Sequence, residues 1–428
     1  MFVSFYLRFL VFCIIFDLIS ISFAKKFNPK DLPVVIWWSD LLYPYEAKEK
    51  EIHCSKSNKC VSSFKRTYNN DEIPVAYLFY GTDFKGDNLP LPRKSNHLWA
   101  LLHEESPLNN FLFSHSSGIK LFNFTATFSR HSDFPLTTQH LPSLDYLMRK
   151  PVPLEIKNEY RKNGTAPVLY LQSHCNVPSD RDRYVKQLME FIDVDSYGEC
   201  LHNKDLPTHL LSTDTHNDES LFHFISKYKF HLAFENAICE DYITEKFFRA
   251  LHVGSVPIYR GSRSIEDWLP SPVSAIIVDN FKDPQDLAMH ISRLDENDIL
   301  YEECLNFKKD IKNIFLKQTM EKRTWGVNDP NELDFLRGYE CHLCNKLWSD
   351  DLQKNSVANK SHMNCPQPHT SLDIDIKKSI KTDQWLLEEW AETYWFALDQ
   401  AKAIEQMIQN NENDTSKFWN YISMNKYN

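Results

Sequence analysis

Three short stretches of the sequence gather side chains suited to proton transfer and anion binding. The densest runs from Lys229 to Lys246, reading KFHLAFENAICEDYITEK. Its apolar half predicts a strand ending at Phe234. Glu235 and Asn236 then stand at the carboxyl end, the usual ligand edge of an α/β sheet. A helix is expected from Asp241 to Val253, closed by Gly254. On it Tyr242, Glu245 and Lys246 fall at i, i+3 and i+4 and share one face. A helix N-terminus favours anions, so a cation in its first turns is unfavourable unless an anionic ligand offsets it. The plainer reading of the same spacing is a Glu/Lys pair on the surface.

The second stretch is His103-Glu104-Glu105-Ser106-Pro107, after the apolar run Leu98 to Leu102. Two carboxylates at a strand exit can supply a general base, although an exposed acidic turn is the commoner reason for them. The third, Gln172 to Arg183, runs from a strand end to a helix start. There Asp180 can cap, and Arg181 or Arg183 can meet phosphate oxygens; solvated helix-start charges are the simpler account. Asp193/Asp195 and Asp373/Asp375 resemble D-x-D metal pairs, a pattern common by chance. Cys341 and Cys344, with His362, Cys365 and His369 downstream, have zinc-like types, but in an oxidising compartment a C-x-x-C is expected to be a tight disulfide.

The elements that must position these residues read as two series. Strand-like runs are Pro33–Trp38, Pro74–Tyr80 and Leu121–Phe128, then, after a proline-rich crossing over 131–165, Pro167–Ser173, Phe191–Tyr197, Phe230–Phe234, Val256–Tyr259 and Ala275–Val278. Helices are expected over 181–192, 241–253, 284–294 and 297–318. Alternating strands and helices imply parallel α/β sheets. Two such units predict two facing α/β domains with a cleft between them, over 27–150 and 151–330. In the remainder, 331–428, residues 345–381 read as polar loop. From Asp383 to Asn410 the positions Trp385, Leu386, Trp390, Tyr394, Leu398, Ala401 and Met407 share one helical face, as expected of a helix docked on the body.

Composition narrows the classes. The chain has 25% charged and 42% hydrophobic residues, globular values. Only nine glycines occur in 428 residues, against an ordinary share of about 7%, and no G-x-G-x-x-G exists, which excludes a dinucleotide fingerprint. A net charge of -10 without a basic stripe argues against nucleic acid. Residues 1–24 carry an apolar core, Phe9–Phe16, and a small-x-small site at Ser22-Phe23-Ala24, as in a cleaved secretory signal. The rival is a signal-anchor holding a type II membrane protein. It is disfavoured by Asp17, which costs roughly 2.5–3.5 kcal/mol in mid-span, and by Lys25 and Lys26 lying after the segment. Either way the body is expected in the lumen of the endoplasmic reticulum or Golgi, touching membrane only through that segment. The sequons at Asn123, Asn163, Asn359 and Asn413 fit that address. With Cys13 removed, nine of the ten cysteines remain; one must stay unpaired, and Cys54–Cys60 is a plausible local bridge.

Together these segments resemble the α1,3-fucosyltransferase family, glycosyltransferase family ten, whose F-x-N/L-x-F-E-N and D/G-Y-x-T-E-K signature stands here as Phe230 to Lys246. The likeness runs from about residue 33 to 325. It is narrower towards the branch of animal fucosyltransferases ten and eleven, through Leu102–Asn110, Thr127–Asp133, Tyr170–Cys175, Asp180–Tyr184, Trp325–Pro330 and Ser361–Cys365. The resemblance implies a GT-B fold of two Rossmann-like domains, GDP-fucose as donor held mainly by the second, inversion at the anomeric carbon, and no obligatory metal or other cofactor. By position it makes Glu105 the general base. Arg181 and Lys246 become contacts of the donor diphosphate, and Ser173, His231, Asn236, Tyr242 and Glu245 become lining of the nucleotide-sugar site. His231, where relatives often have Tyr, and Cys239, in a loop that is usually polar, depart from the family pattern.

The chemistry is coherent on its own terms. Cleaving a sugar–phosphate bond builds positive charge on the ring and negative charge on the diphosphate, which Arg181 and Lys246 would stabilise, while Glu105 takes the acceptor proton. The branch implies Ser/Thr of a folded, cysteine-rich EMI-type domain as acceptor; GlcNAc of a glycan is the classical alternative. Two rivals come from other classes: a non-catalytic lumenal glycan- or GDP-fucose-binding protein, and a redox chaperone built on Cys341 and Cys344.

Overall fold

A computed structural model describes residues 32–425 except 40, 47, 67–72, 138, 212–217, 315–333, 350–355 and 372–389. The 1–24 segment, Trp325–Pro330, Asp373/Asp375, Trp385 and Leu386 lie outside the described residues. The architecture is α/β, as the alternation predicts, with two largely parallel sheets. The first contains β1 (Val34–Trp37), β2 (Lys50–His53), β3 (Lys59–Ser63), β4 (Val75–Tyr80), β5 (His97–His103) and β6 (Phe124–Thr127), in the order β2-β3-β1-β4-β5-β6. Only the β2–β3 pairing is antiparallel. The second contains β7 (Val168–Tyr170), β8 (Val194–Ser196), β9 (Phe230–Phe234), β10 (Val256–Arg260) and β11 (Ile276–Ile277), ordered β11-β10-β9-β7-β8 and parallel throughout. Strands covered on both faces must be apolar along their whole length. In β4, Val75, Tyr77 and Phe79 enter one core while Ala76, Leu78 and Tyr80 enter the other.

Helices α1 (Ser116–Ile119), α2 (Leu154–Lys162), α3 (Arg181–Leu188), α4 (Glu219–Ile225), α5 (Glu245–Val253), α6 (Pro284–Asp295) and α7 (Asp298–Cys304) follow the strands. Asp218, Asp283 and Asn297 cap α4, α6 and α7 with their side chains, and Pro284 opens α6, the position where a missing N–H costs nothing. Gly254 closes α5 at φ 73°, and a Cβ there would lie 2.3 Å from that of Pro151. The proline-rich crossing holds a helix, α2, unread in the sequence. Its Lys157 is buried and donates to the carbonyls of Tyr228 (2.8 Å) and Gly254 (2.7 Å), pinning the entry edge of β9 and β10. The helix expected over 297–318 stops at Cys304, followed by two short 3-10 turns.

The last hundred residues complete the first sheet. Helix α8 (Phe335–Leu347) packs Tyr339, Leu343 and Leu347 onto one face, while α9 (Ala391–Gln409) and α10 (Phe418–Asn425) put Ala401, Ile404, Met407 and Phe418 on the other. Docking of α9 agrees with the expected helix. Helix α8 was not anticipated, and it overturns the pairing expected for four cysteines. Cys54 bonds Cys341 and Cys60 bonds Cys344, so neither Cys54–Cys60 nor Cys341–Cys344 is a bridge. On a helix, residues three apart point the same way, and both thiols of α8 meet the β2–β3 hairpin. Zinc and redox readings of Cys341 and Cys344 fail with that pairing. Cys175–Cys200 and Cys239–Cys365 complete the bridges, and Cys304 is the free thiol among the described residues.

Next to Cys341 sits Glu340, with no exposed surface. Its carboxylate accepts from Trp37 Nε1 (2.7 Å), Tyr45 Oη (2.6 Å) and Ser62 Oγ (2.5 Å). Burial raises its pKa and the three donors oppose that. Glu340→Ala strands the buried donors of Trp37 and Ser62 and the partly buried one of Tyr45 and is expected to cost about 3 kcal/mol, read as a fall in thermal midpoint; Glu340→Gln, which keeps an acceptor oxygen, should cost less. An unchanged midpoint in Glu340→Ala would show that the cluster does not hold α8.

Candidate functional site

The carboxyl ends of β5 and β9 meet at the seam between the sheets. His103, the last residue of β5, is fully buried, and it fits because Gly81 leaves room: a Cβ on Gly81 would lie 2.4 Å from its Nδ1. Burial pushes the His103 imidazole down to about 3, so it is neutral. Glu104 accepts from Tyr80 Oη at 3.0 Å. Glu105 is half-buried. Its pKa is raised by burial and then by the charge of Glu104, with Lys246 pulling the other way. The exposed acidic turn is therefore corrected: this turn faces the other sheet.

On that other side the chain does not begin a helix at Asp241. Asp241 sits at φ 63°, a left-handed conformation that stops helical propagation, and α5 starts four residues later with Thr244 as its cap. Tyr242 thus precedes the helix and does not share a helical face with Glu245 and Lys246. It is buried against Phe128, ring centroids 5.0 Å apart, and its hydroxyl bonds the Ser106 side chain beside Glu105. Glu245 and Lys246 open α5, and Lys246 Nζ lies 3.1 Å from Glu245 Oε1 and 3.0 Å from Thr244 Oγ1. With side chains 15% (Lys246) and 33% (Glu245) exposed, they are not a solvated surface pair. Burial alone would raise the pKa of Glu245, but Lys246, His140 and Arg249 together hold it well below the carboxylate range.

The third stretch lies beside them. Arg181 opens α3 at 1% exposure. Its guanidinium donates to the carbonyls of Phe234 (3.0 Å) and His174 (2.7 Å), leaving buried Nε without a partner. Asp180 does not cap α3; it accepts from Thr370 Oγ1 (2.8 Å) and Ser371 N (3.0 Å) and pairs with Arg183 (3.3 Å). Asn236 follows Glu235 with its Oδ1 buried and unpartnered. Ser173 is exposed beyond the end of β7. His231 lies within β9, its Nε2 against the Ile225 carbonyl at 3.0 Å and its ring held neutral by burial. It sits in a crevice beneath Lys246 and Arg249.

Several residues that assemble the site are not among the expected site residues. Arg130, after β6, grips Asp241 through Nη2 (2.6 Å), Nε and its backbone N–H, and reaches Asp267 at 2.8 Å. Glu235, fully buried, accepts from Thr244 N and Oγ1 at 2.8 Å each. His140, on the crossing, stands 4.0 Å from Glu245. The tail segment 356–371 crosses the seam. Thr127 and Ser129 donate to carbonyls of His362 and Ser361, and Cys365 then bonds Cys239. That bridge is why a cysteine stands in the 236–240 loop. The position of Arg130 within the Ser129–Asp133 segment and the glutamate of F-E-N were the available signals.

The decoys separate. Asp193 is exposed outside β8, and Asp195 is buried under Tyr228 Oη (2.8 Å) and Lys204 (3.0 Å). Of the sequons, Asn163, Asn359 and Asn413 are exposed. Asn123 is buried and its Nδ2 donates to the Ser356 carbonyl at 3.0 Å, which leaves no room for a glycan in the folded chain. A hollow of about 620 Å³ on α6, lined by Phe191, Met289 and Arg293, touches none of the candidate residues.

Residues 161–362 match the sequence model described as glycosyltransferase family 10 (fucosyltransferase), C-terminal, and residues 30–139 match the fucosyltransferase N-terminal model. GDP-fucose protein O-fucosyltransferase 3 of Gallus gallus is 45% identical over 410 residues, 93% of this chain and 85% of the relative; that of Homo sapiens is 43% identical over 410 residues, 93% and 84%. A crystal structure of an α1,3-fucosyltransferase with GDP-fucose aligns at TM-score 0.41 and 17% identity, over 76% of this chain and 94% of that one. On the strength of the family matches and of relatives alike over almost its whole length, the chain belongs to glycosyltransferase family 10 and is a fucosyltransferase.

Proposed function

We propose that the chain transfers L-fucose from GDP-fucose to a Ser or Thr hydroxyl of a folded protein domain, with inversion and without an obligatory metal. The observation that carries this is the half-buried Glu105 facing Glu245 and Lys246 across the seam. The names of the relatives support the donor and a protein acceptor. Residues up to about 150 would present the acceptor and 151–330 would hold the donor, with the tail bracing the former. The lumen of the endoplasmic reticulum or Golgi is the proposed address, and four disulfides suit an oxidising compartment.

In the reaction the acceptor oxygen attacks the anomeric carbon from the face opposite the diphosphate. The C1–O bond to the β-phosphate breaks and its electron pair leaves with GDP, while the acceptor proton passes to Glu105. Lys246 stabilises the charge growing on the leaving diphosphate. Arg181 is already bonded to two carbonyls, so it orders the 174–181 loop and offers its remaining N–H groups. Asn236 Oδ1, buried without a partner, is available to a donor hydroxyl, with Ser173 and Tyr242 at the edges of the same site.

The test is fucose transfer by the purified chain in EDTA, offering folded EMI-type domains and GlcNAc-terminated glycans together, read by intact-mass spectrometry. One deoxyhexose on the protein supports the proposal; on the glycan it moves the acceptor to the α1,3 type. GDP-fucose binding with no transfer favours a non-catalytic binding protein. Glu105→Gln is expected to lower turnover by about 10³-fold with GDP binding unchanged by calorimetry; lost binding would remove Glu105 from the base role.

A pH profile checks the electrostatics. The base works ionised, and burial with Glu104 raises its pKa, so kcat/KM should rise with pH through a value above the ordinary carboxylate range. Glu245 adds to the raising, while Lys246 and the Ser106 backbone oppose it. Glu104→Gln removes a like charge and should move the acid limb to lower pH. An unmoved or upward-shifted limb would count against Glu105 as the titrating group.

A further inference from the structure

We propose that Glu235 is a positioning residue for the reaction, holding Lys246 where the leaving diphosphate must be met. This rests on the role given to Lys246 above. Glu235 follows β9 directly, and its side chain has no solvent exposure. One carboxylate oxygen accepts from Thr244 N and the other from Thr244 Oγ1, both at 2.8 Å. The second oxygen also lies 3.6 Å from Lys246 Nζ, which donates in turn to Thr244 Oγ1 at 3.0 Å. Glu235, Thr244 and Lys246 therefore form one closed triangle at the start of α5.

The site is built around that carboxylate. Gly261 packs beside it, and a Cβ there would stand 2.7 Å from Glu235 Cγ. Its backbone is fixed as well: Glu235 N donates to the Arg260 carbonyl at 2.9 Å, and its own carbonyl accepts from Ser179 Oγ at 2.6 Å. A carboxylate this deep, adjoining a cation at the mouth of the site, is an expensive way to cap a helix, since Thr244 alone caps α5. Its distinct effect is on the ammonium. Lysine is a point charge on a flexible stem, and the triangle confines it before the donor arrives. A fixed charge counts most where charge develops, so the effect belongs to the transition state more than to ground-state binding. Removing Glu235 also removes a negative charge that competes with the diphosphate for Lys246, which offsets part of any loss in donor affinity.

The experiment is a double-mutant cycle on the full chain, with turnover expressed per GDP-binding site by calorimetric titration so that misfolded protein is not counted. Glu235→Gln is expected to lower kcat by about tenfold, with GDP affinity changed far less. In a Lys246→Met background the same change should cost nothing further. Thr244→Val, which keeps the backbone N–H on Glu235 but deletes the bridging hydroxyl, should show the same coupling to Lys246; it carries the test if Glu235→Gln fails to bind GDP in full stoichiometry. A loss that multiplies in the Lys246→Met background, or an unchanged kcat in Glu235→Gln, overturns the proposal. An unchanged kcat in Lys246→Met alone overturns the role of Lys246 and with it this inference.

Discussion

The clamp of Arg130 on Asp241 is the contact on which the site depends. Asp241 is fully buried, and Arg130 meets it with side chain and backbone at once. From the β10 side Ser264 Oγ donates to Asp241 Oδ1 at 2.7 Å, and Ser262 Oγ accepts from the Asp241 N–H at 2.8 Å. A buried pair of this kind contributes little net stability, because desolvation cancels most of the attraction, but breaking it leaves a stranded charge. Its effect here is geometric. It fixes one residue in the left-handed region, which delays α5 to Glu245 and turns Tyr242 towards Ser106. Glu105 beyond one sheet and Lys246 beyond the other are thereby set in register by a residue from each.

That register is reinforced by the tail. Residues 356–371 run along β6, cross to the 236–241 loop through Cys239–Cys365, and end on Asp180 beside Arg181. Helix α8, before this segment, and α9 and α10, after it, cover the first sheet on both faces. A sheet of parallel strands cannot stand with a bare apolar face, so the first half of the chain is completed only when the last hundred residues return to it. Arg130 stacked on Trp268 at 4.9 Å and His140 beside Glu245 add further ties across the seam.

What the sequence disclosed follows from this. The strands buried on both faces were legible because burial makes each a continuous apolar run, and the polar residues after Phe234 and Leu102 stood out against such runs; the polar, partly exposed β2 and β3 were not among the expected strands. The expected start of α5 at Asp241 differs from the observed start at Glu245 because Asp241 is left-handed, and nothing local in the sequence shows that a distant arginine grips it. Helix α8 was hidden because its buried face carries Glu340, Cys341 and Cys344, whose partners lie almost three hundred residues away. The burial of Glu105 was unreadable for the same reason: a turn written with two glutamates looks solvated until the opposing sheet is placed against it. Where the family resemblance named residues, the structure gathers Glu105, Tyr242, Glu245 and Lys246 at the seam, with Arg181 and Asn236 adjoining. It sets His231 beneath them and leaves Ser173 exposed.

The charges at the seam pose a last physical problem. Four carboxylates, Glu104, Glu105, Glu235 and Glu245, stand near the place proposed for a diphosphate. An anion can enter only if most of that charge is already engaged. Glu235 is held by two Thr244 donors, Glu104 has the Tyr80 hydroxyl, and Glu245 is bonded to Lys246. The ammonium of Lys246 is therefore shared before any donor arrives, and a diphosphate must draw it from Glu245. Glu245 retains His140 and Arg249 as neighbouring cations, so it is not left uncompensated by the exchange. Burial raises the pKa of Glu104 and Glu235 as well, and Glu105 is raised by burial and then by the charge of Glu104. An environment that makes an anion costly is also one that makes a better base, so the acidity of the seam and the reactivity proposed for Glu105 have a single cause.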